Sequence, residues 1–303
     1  MTALRIVSLL PSGTELVGAL GGVDELVGIS HECDFPPQVS ALPRLTSSIL
    51  DHGLTPAQID AAVREASLEG RPLYAVDGPR LAALRPDLIV TQGVCAVCAV
   101  TETTIESSLR LVPVEQACTA PVVSLGATDW AGIRADVSRL AEAMGRPSAA
   151  ETLLGRLDER WQRLASTPPS SRPVVAMLEW PDPPWFGGHW VPEQVAVAGG
   201  HDPFGTPGAP SRRSTWDALR QADPDLIVGI ACGFDLEQNH AHLRKACAGP
   251  LAGMRAVTEG RVWAADANAM FSRPGPRVVQ GAELLRAIFT GQPVPPEHAR
   301  RLP

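Results

Sequence analysis

Short runs of aliphatic and β-branched residues alternate along the chain with longer stretches whose apolar positions recur every three or four residues. Arg5 to Leu9, Leu26 to Ser30, Leu88 to Thr91 and Val122 to Leu125 each read as a buried strand. Between them, Thr14 to Leu20 reads as a first crossover helix with Ser12 or Gly13 near its cap. Thr55 to Glu69 reads as a second, with Ile59, Ala62, Val63 and Ala66 on one face. Strands alternating with helices predict a parallel sheet in an N-terminal α/β lobe, residues 1–128.

From Asp129 to Ser166 the helical period is sustained through Ile133, Val137, Leu140 and Met144, and again through Leu153, Leu157, Trp161 and Leu164. Gly145, Arg146 and Pro147 mark a break. This predicts a long, stiff helical connector, residues 129–166. A second alternation then fills residues 167–303: strand Val174 to Leu178, helices Pro192 to Ala198 and Thr215 to Gln221, strands Leu226 to Ile230 and Val262 to Ala265, and a closing helix Val278 to Phe289. The expected fold is therefore α/β, with two Rossmann-like lobes joined by a long rigid helix. An internal echo supports the two-lobe reading. "LRPDLIVTQGVC" (Leu84 to Cys95) and "ADPDLIVGIACG" (Ala222 to Gly233) share Pro-Asp-Leu-Ile-Val, and each strand runs into a loop containing cysteine. Ligands of open parallel sheets gather beyond the carboxyl ends of the strands, so these loops are expected to face a shared interlobe cleft.

Composition narrows the function. The 303 residues are 45% hydrophobic and 19% charged, ordinary for a globular chain. A net charge of −7 sets the overall field against nucleic acid and anionic membrane surfaces. Lys245 is the single lysine, which removes a Walker-type phosphate loop and a Schiff-base lysine elsewhere. There is no Gly-x-Ser-x-Gly elbow and no His-Glu-x-x-His helix. The apolar opening is interrupted at Pro11 to Glu15, and no apolar stretch approaches membrane-spanning length, so no membrane insertion is expected and the protein is expected to be cytoplasmic.

Residues able to carry chemistry cluster in the predicted strand-end loops. "HECD" supplies His31, Glu32 and Cys33, and "CAVC" supplies Cys95 and Cys98. With Cys232 these form a set of imidazole and thiolate donors suited to a zinc, iron or cobalt ion, a redox dithiol or simple packing being the alternatives. "LEWPDPPWFGGHWVPE" concentrates Glu179, Trp180, Trp185, His189, Trp190 and Glu193 after one strand, although only 5% of the chain is aromatic. Flat indoles beside a Gly-Gly loop are suited to a large planar ligand, or else to sealing a core. "DANAMFSRPGPR" adds Asn268, Phe271 and Arg273, whose guanidinium fork fits a carboxylate, an amide or a phosphate, or clamps a turn. Arg212 and Arg213 read as a solvated or helix-positioning pair. His52, His201, His240, His242 and His298 lack ligand spacing and are set aside, and Cys118 and Cys247 read as structural thiols.

Taken together, "SLLPSGTE", "HECDFP", the paired Pro-Asp-Leu-Ile-Val strands, the long connector and "SRPGPR" resemble the class III periplasmic binding proteins of the cobalamin and ferric-siderophore type, and within them the leaderless cobalamin-binding branch. The resemblance spans nearly the whole chain. It implies two α/β lobes bridged by a helix, a small-molecule ligand that is cobalamin or another metal chelate, and a binding protein rather than a catalyst. Three departures accompany it: no export leader is read at the start, which weighs against a permease partner; the thiols are unneeded for simple vitamin capture; and permease-docking acidic residues are not placed. A metal-dependent enzyme on the same fold is the alternative expectation.

Overall fold

The computed structural model describes residues 3–50, 53–93, 100–110 and 118–303. The chain divides into two compact units, Met1–Ala127 with Ala131–Gly155, and Thr128–Trp130 with Arg156–Pro303.

The first unit runs β1 (Ile6–Ser8), α1 (Pro11–Ala19), β2 (Leu26–Ile29), β3 (Thr46–Ser48), α2 (Pro56–Glu69), β4 (Tyr74–Val76), α3 (Gly78–Ala83), β5 (Leu88–Gln92), α4 (Glu102–Leu109), β6 (Val122–Leu125) and α5 (Trp130–Ala143). Its main sheet has the order β2-β1-β5-β6, every pair parallel, with β3 and β4 forming a separate antiparallel pair. Helix α6 (Pro147–Ser166) begins in the first unit and ends in the second. Its break from α5 falls at the expected Gly145, whose φ of +68° only glycine adopts without strain.

The second unit continues with β7 (Val175–Pro181), β8 (Pro184–Phe186), α7 (Val191–Val197), β9 (Arg212–Arg213), α8 (Trp216–Ala222), β10 (Leu226–Gly229), α9 (Leu236–Ala248), α10 (Arg255–Thr258), β11 (Val262–Ala265), α11 (Ala267–Met270), α12 (Val278–Thr290) and β12 (Ala299–Arg301). The sheet order is β12-β11-β10-β7-β8-β9, parallel through β11, β10 and β7 and antiparallel at both edges. Its core packs Ala176, Leu178, Ile227, Val262 and Ala264 against Leu219, Leu243 and Ala246. That is the continuous apolar character expected of strands covered on both faces.

The sequence echo has a structural meaning in each unit. Asp87, the aspartate of the first Pro-Asp-Leu-Ile-Val, accepts the Arg5 backbone N–H at 2.9 Å, while its own N–H donates to the Arg5 carbonyl at 2.8 Å. Asp225 does the same to Val174 at 2.8 Å and 2.8 Å. Each aspartate thereby fixes where a central parallel pair starts, and so sets the level at which the carboxyl-end loops emerge. The Val174 N–H, foremost, and the Arg255 guanidinium hold the Asp225 carboxyl below its ordinary pKa.

Several elements depart from the periodicity reading. The first helix starts at Pro11, earlier than Thr14, because proline at the first helical position loses no needed hydrogen bond. The β3–β4 pair, α3 and α4 lie outside the periodicity reading because segments of three to eight residues are too short to show a period, and β3 and α4 are also rich in Ser and Thr. Helix α9 went unread although Asp235 and Gln238 form a reciprocal capping box at its start. Arg212 and Arg213 form a short edge strand, and both side chains are exposed, as a solvated pair should be.

Candidate functional site

In the second unit the carboxyl ends of β7, β10 and β11 bring one group of predicted residues together. Glu179 and Trp180 close β7, and Trp180 lies directly opposite Trp185 of β8 in the antiparallel register, which places the two indoles on the same face of the ribbon. Trp180 leans on Phe234, centroids 5.0 Å apart at 31°, and Phe234 stacks on His242 at 4.8 Å and 16°. The result is a run of three rings contributed by a strand end, the β10–α9 loop and α9. Gly233, at φ +81°, turns that loop, and its N–H donates to Asn268 Oδ1 at 3.1 Å. Asn268 therefore shapes the loop that carries Phe234 and the exposed Cys232.

Glu179 accepts from one side-chain hydroxyl and one backbone N–H. Ser211 Oγ donates to it at 2.5 Å and the Gly188 N–H adds a second bond. Burial of the carboxyl group nevertheless dominates and raises its pKa. His189 beside it sits at φ +53°, unusual for a residue other than glycine, and is clipped by two backbone bonds: its N–H to the Ala209 carbonyl at 2.6 Å, and its carbonyl from the Gly208 N–H at 3.0 Å. Burial lowers its pKa, favouring the neutral imidazole.

Other predicted ligand residues serve the scaffold. Trp190 is 7% exposed and its indole N–H donates to the Phe271 carbonyl at 2.9 Å. Phe271 is itself buried. Glu193 accepts the Trp130 N–H at 2.6 Å, and burial, reinforced by Asp129, raises its pKa. Arg273 is 8% exposed, enclosed rather than presented to solvent.

In the first unit, His31 follows β2. Its ring Nδ1 lies 2.6 Å from Thr46 Oγ1, which also accepts the His31 backbone N–H at 2.9 Å, and the ring leans on Tyr74 at 5.4 Å. Burial foremost, with Arg44 adding and Glu32 opposing, lowers the His31 pKa. Arg44 Nη1 donates to the Ser30 carbonyl at 3.0 Å and to that of Cys33, pinning the loop. Cys33 is 1% exposed, with Thr14 Oγ1 3.0 Å and Ser30 Oγ 3.3 Å from its sulfur. Such a thiol packs inside the unit, which is not the exposed ligand expected of it. Cys95 and Cys98 lie outside the described residues. Among the described residues no group of three or more His, Cys, Asp or Glu is arranged to hold a bare metal ion. Burial pushes the Cys247 thiol up to about 11, consistent with a structural role.

Residues 6–269 match the family model described as periplasmic binding protein. The chain belongs to this family. It is 25% identical over 290 residues to a vitamin B12-binding protein of Photorhabdus laumondii, covering 93% of this chain and 86% of that one. Among solved structures, the periplasmic vitamin B12 binding protein BtuF of Vibrio cholerae aligns with a TM-score of 0.65 at 21% identity, over 95% of this chain and 97% of its own. The apo periplasmic heme-binding protein RhuT of Roseiflexus aligns at 0.69 and 20%, over 96% and 99%. These likenesses confirm the two-unit α/β fold. They correct the expectation of a cytoplasmic protein: the family and the aligned structures are periplasmic, which points to that compartment instead. Composition and the run of apolar residues report only that no described helix can cross a membrane, and they carry no information about compartment.

The sequence pattern missed Ser211, Phe234, His242, Thr46 and Tyr74. His242 was discarded for want of spacing, yet the Asp-x-x-Gln cap at Asp235 would have started a helix that returns a ring toward the loop two turns later.

The Glu179 carboxyl carries a pH signature. Its raised native pKa means that the folded protein holds this proton more tightly than the unfolded chain. Its contribution is thus most favourable below about 4.3, the ordinary carboxylate value, and declines as pH rises through the native pKa. Glu179→Gln keeps an acceptor for Ser211 and Gly188 and removes the charge. The variant is expected to match the parent near pH 4 and to exceed it in stability near pH 8, measured as denaturant midpoints across that range. A difference that does not change with pH would refute this account.

Proposed function

We propose that this binding protein captures a metal tetrapyrrole, a corrinoid before a haem. The observation that carries the reading is the ring run Trp180–Phe234–His242, with Trp185 on the same ribbon as Trp180, at the carboxyl ends of β7 and β10. Phe234 is 9% exposed and held between Trp180 and His242, so the aromatic surface on offer is that of the half-buried Trp180, Trp185 and His242, which suits the planar, largely apolar macrocycle. Glu179, Asn268 and the backbone of the Gly187–Gly188–His189 turn supply polar positions around it, suited to the amide side chains of a corrinoid. The vitamin B12-binding relatives support the corrinoid, and the heme-binding neighbour makes haem the competing ligand.

Calorimetry with cobalamin at micromolar protein is expected to give saturable heat, with a smaller response to haem. Trp180→Ala is expected to weaken cobalamin binding about tenfold, since an aromatic contact contributes ~0.5–1.5 kcal/mol beyond the area it covers. No heat with either chelate would overturn the reading, and preferential binding of haem would reverse the order of ligands.

A further inference from the structure

We infer that Arg213 is an oxyanion subsite at the end of an aromatic row in the second unit, and that it takes the phosphodiester of a nucleotide-bearing corrinoid. The inference rests on the metal tetrapyrrole reading and names the kind of corrinoid, complete with its nucleotide arm, for which that row is built.

Strand register places the residues. Trp180 of β7 is opposite Trp185 of β8, and Trp185 is in turn opposite Arg213 of β9. Residues directly opposite in antiparallel strands project from the same face. Trp180, Trp185 and Arg213 therefore form one row across three strands, a span of about 10 Å. Phe186 is fully buried and lies opposite Leu178 and Arg212, so it marks the core face, and Arg213 belongs to the other by alternation. Leu178 pairs with Phe186 but Trp180 with Trp185, which makes Glu179 an extra residue on β7. This bulge brings Trp180 over from the face of Leu178 to that of Trp185. Burial along β7 agrees, since Leu178 and Pro181 are buried while Glu179 and Trp180 are both partly exposed.

Charge on an edge strand blocks pairing with another chain, a role that either arginine of β9 fills. The register separates them. Arg212 Nη2 reaches the Pro203 carbonyl at 3.4 Å, whereas the Arg213 guanidinium is exposed and, among the described residues, engages no carboxylate or carbonyl. Its backbone is nevertheless fixed on both sides: Ser211 Oγ donates to Glu179 at 2.5 Å, and the Ser214 N–H donates to the Pro184 carbonyl at 2.9 Å. At the other end of the row stands the carboxyl group of Glu179, held by the Ser211 hydroxyl and the Gly188 N–H and by no cation. An amide bonds to such a group directly, but an oxyanion shares it only by taking up a proton. The row thus has an amide end at Glu179 and an oxyanion end at Arg213. The guanidinium fork offers parallel N–H donors to two phosphate oxygens, and its plane suits stacking on the Trp185 indole. Cobalamin carries one anionic side group, the phosphodiester of its nucleotide arm, and its other side chains are amides. Cobinamide lacks that arm, and haem presents carboxylates in its place.

The test is calorimetry of the full chain with cyanocobalamin, dicyanocobinamide and ferric haem. The parent is expected to bind cyanocobalamin about tenfold more tightly than dicyanocobinamide, and added salt, which screens an exposed ion pair, is expected to narrow that gap. Arg213→Gln is expected to weaken cyanocobalamin about tenfold and to leave dicyanocobinamide within about twofold, a split that a general loss of folding or stacking does not produce. Arg212→Gln, on the core face, is expected to change neither. Equal losses for the two corrinoids in Arg213→Gln, or a cyanocobalamin affinity indifferent to both the substitution and salt, would overturn the inference and leave the tetrapyrrole reading intact. A loss confined to haem would assign Arg213 to a carboxylate and so overturn the phosphodiester. Absence of heat with all of these ligands would overturn the inference and the reading together.

Discussion

Gly188→Ala is expected to destabilise the protein by about 3 kcal/mol or more and to abolish ligand binding. A methyl group at this position would stand 2.4 Å from the Ser211 nitrogen, 2.5 Å from the Ala209 oxygen and 2.5 Å from the Pro210 carbonyl carbon. All three are backbone atoms, so no rotamer change relieves the contact, and the loop must move at a cost at the upper end of overpacking. The displaced loop carries Ser211, which donates to Glu179, and Ala209, which receives the His189 N–H. One methyl therefore disturbs the support of Glu179 and the backbone clip of His189 together. The measurement is a denaturation curve beside a cobalamin titration. A variant with unchanged midpoint and affinity would show that the tight approach of these two segments is unimportant.

Asn239→Leu is expected to cost about 2–4 kcal/mol while preserving side-chain volume. Asn239 is 3% exposed, and its amide donates to the Gly229 carbonyl at 2.7 Å and the Ala265 carbonyl at 2.8 Å. Those carbonyls belong to the last residues of β10 and β11, so a single side chain of α9 ties together two strand ends that are followed by the loop carrying Phe234 and by α11 with Asn268. Replacement by leucine leaves two buried acceptors without this donor, and each such loss costs ~1–3 kcal/mol. Because the tie sets the loops, affinity for the planar ligand should fall with stability. Asn239→Asp is a useful companion, since it removes the donor at constant shape and should be at least as damaging. A leucine variant as stable as the parent would mean that the carbonyls are satisfied by other donors.

Much of the α/β architecture was legible before any coordinates because it follows from local physics. Buried parallel strands demand apolar runs, and Leu226–Gly229 and Val262–Ala265 are found where those runs predict them. Amphipathic period located α2, α5, α6 and α12, and glycine and proline located the break between α5 and α6. The Pro-Asp-Leu-Ile-Val echo announced two similar units, although its mechanical role appeared only when Asp87 and Asp225 were seen to hold Arg5 and Val174. Glu179 and Trp180, read from the sequence as following the strand that ends at Leu178, instead lie within β7, because the strand continues to Pro181 and pairs with β8.

What the amino-acid sequence determined by itself is the fold class, the family, and the loops on which chemistry-bearing residues sit. Each depends on patterns that neighbouring residues define among themselves. Only the tertiary structure decided which way those side chains turn. Trp190 and Trp180 lie ten positions apart in one aromatic segment, yet the first is sealed against Phe271 and the second belongs to a ring run with Phe234 and His242. His31 and Cys33 share one tetrapeptide, yet Thr46 takes hold of the imidazole while Thr14 and Ser30 enclose the thiol. The partners that make these choices are 15 to 81 residues away in all but one of the contacts. Periodicity, capping and turn chemistry act over a few residues, so information of that range is absent from any local pattern and enters only when the sheet brings distant segments together.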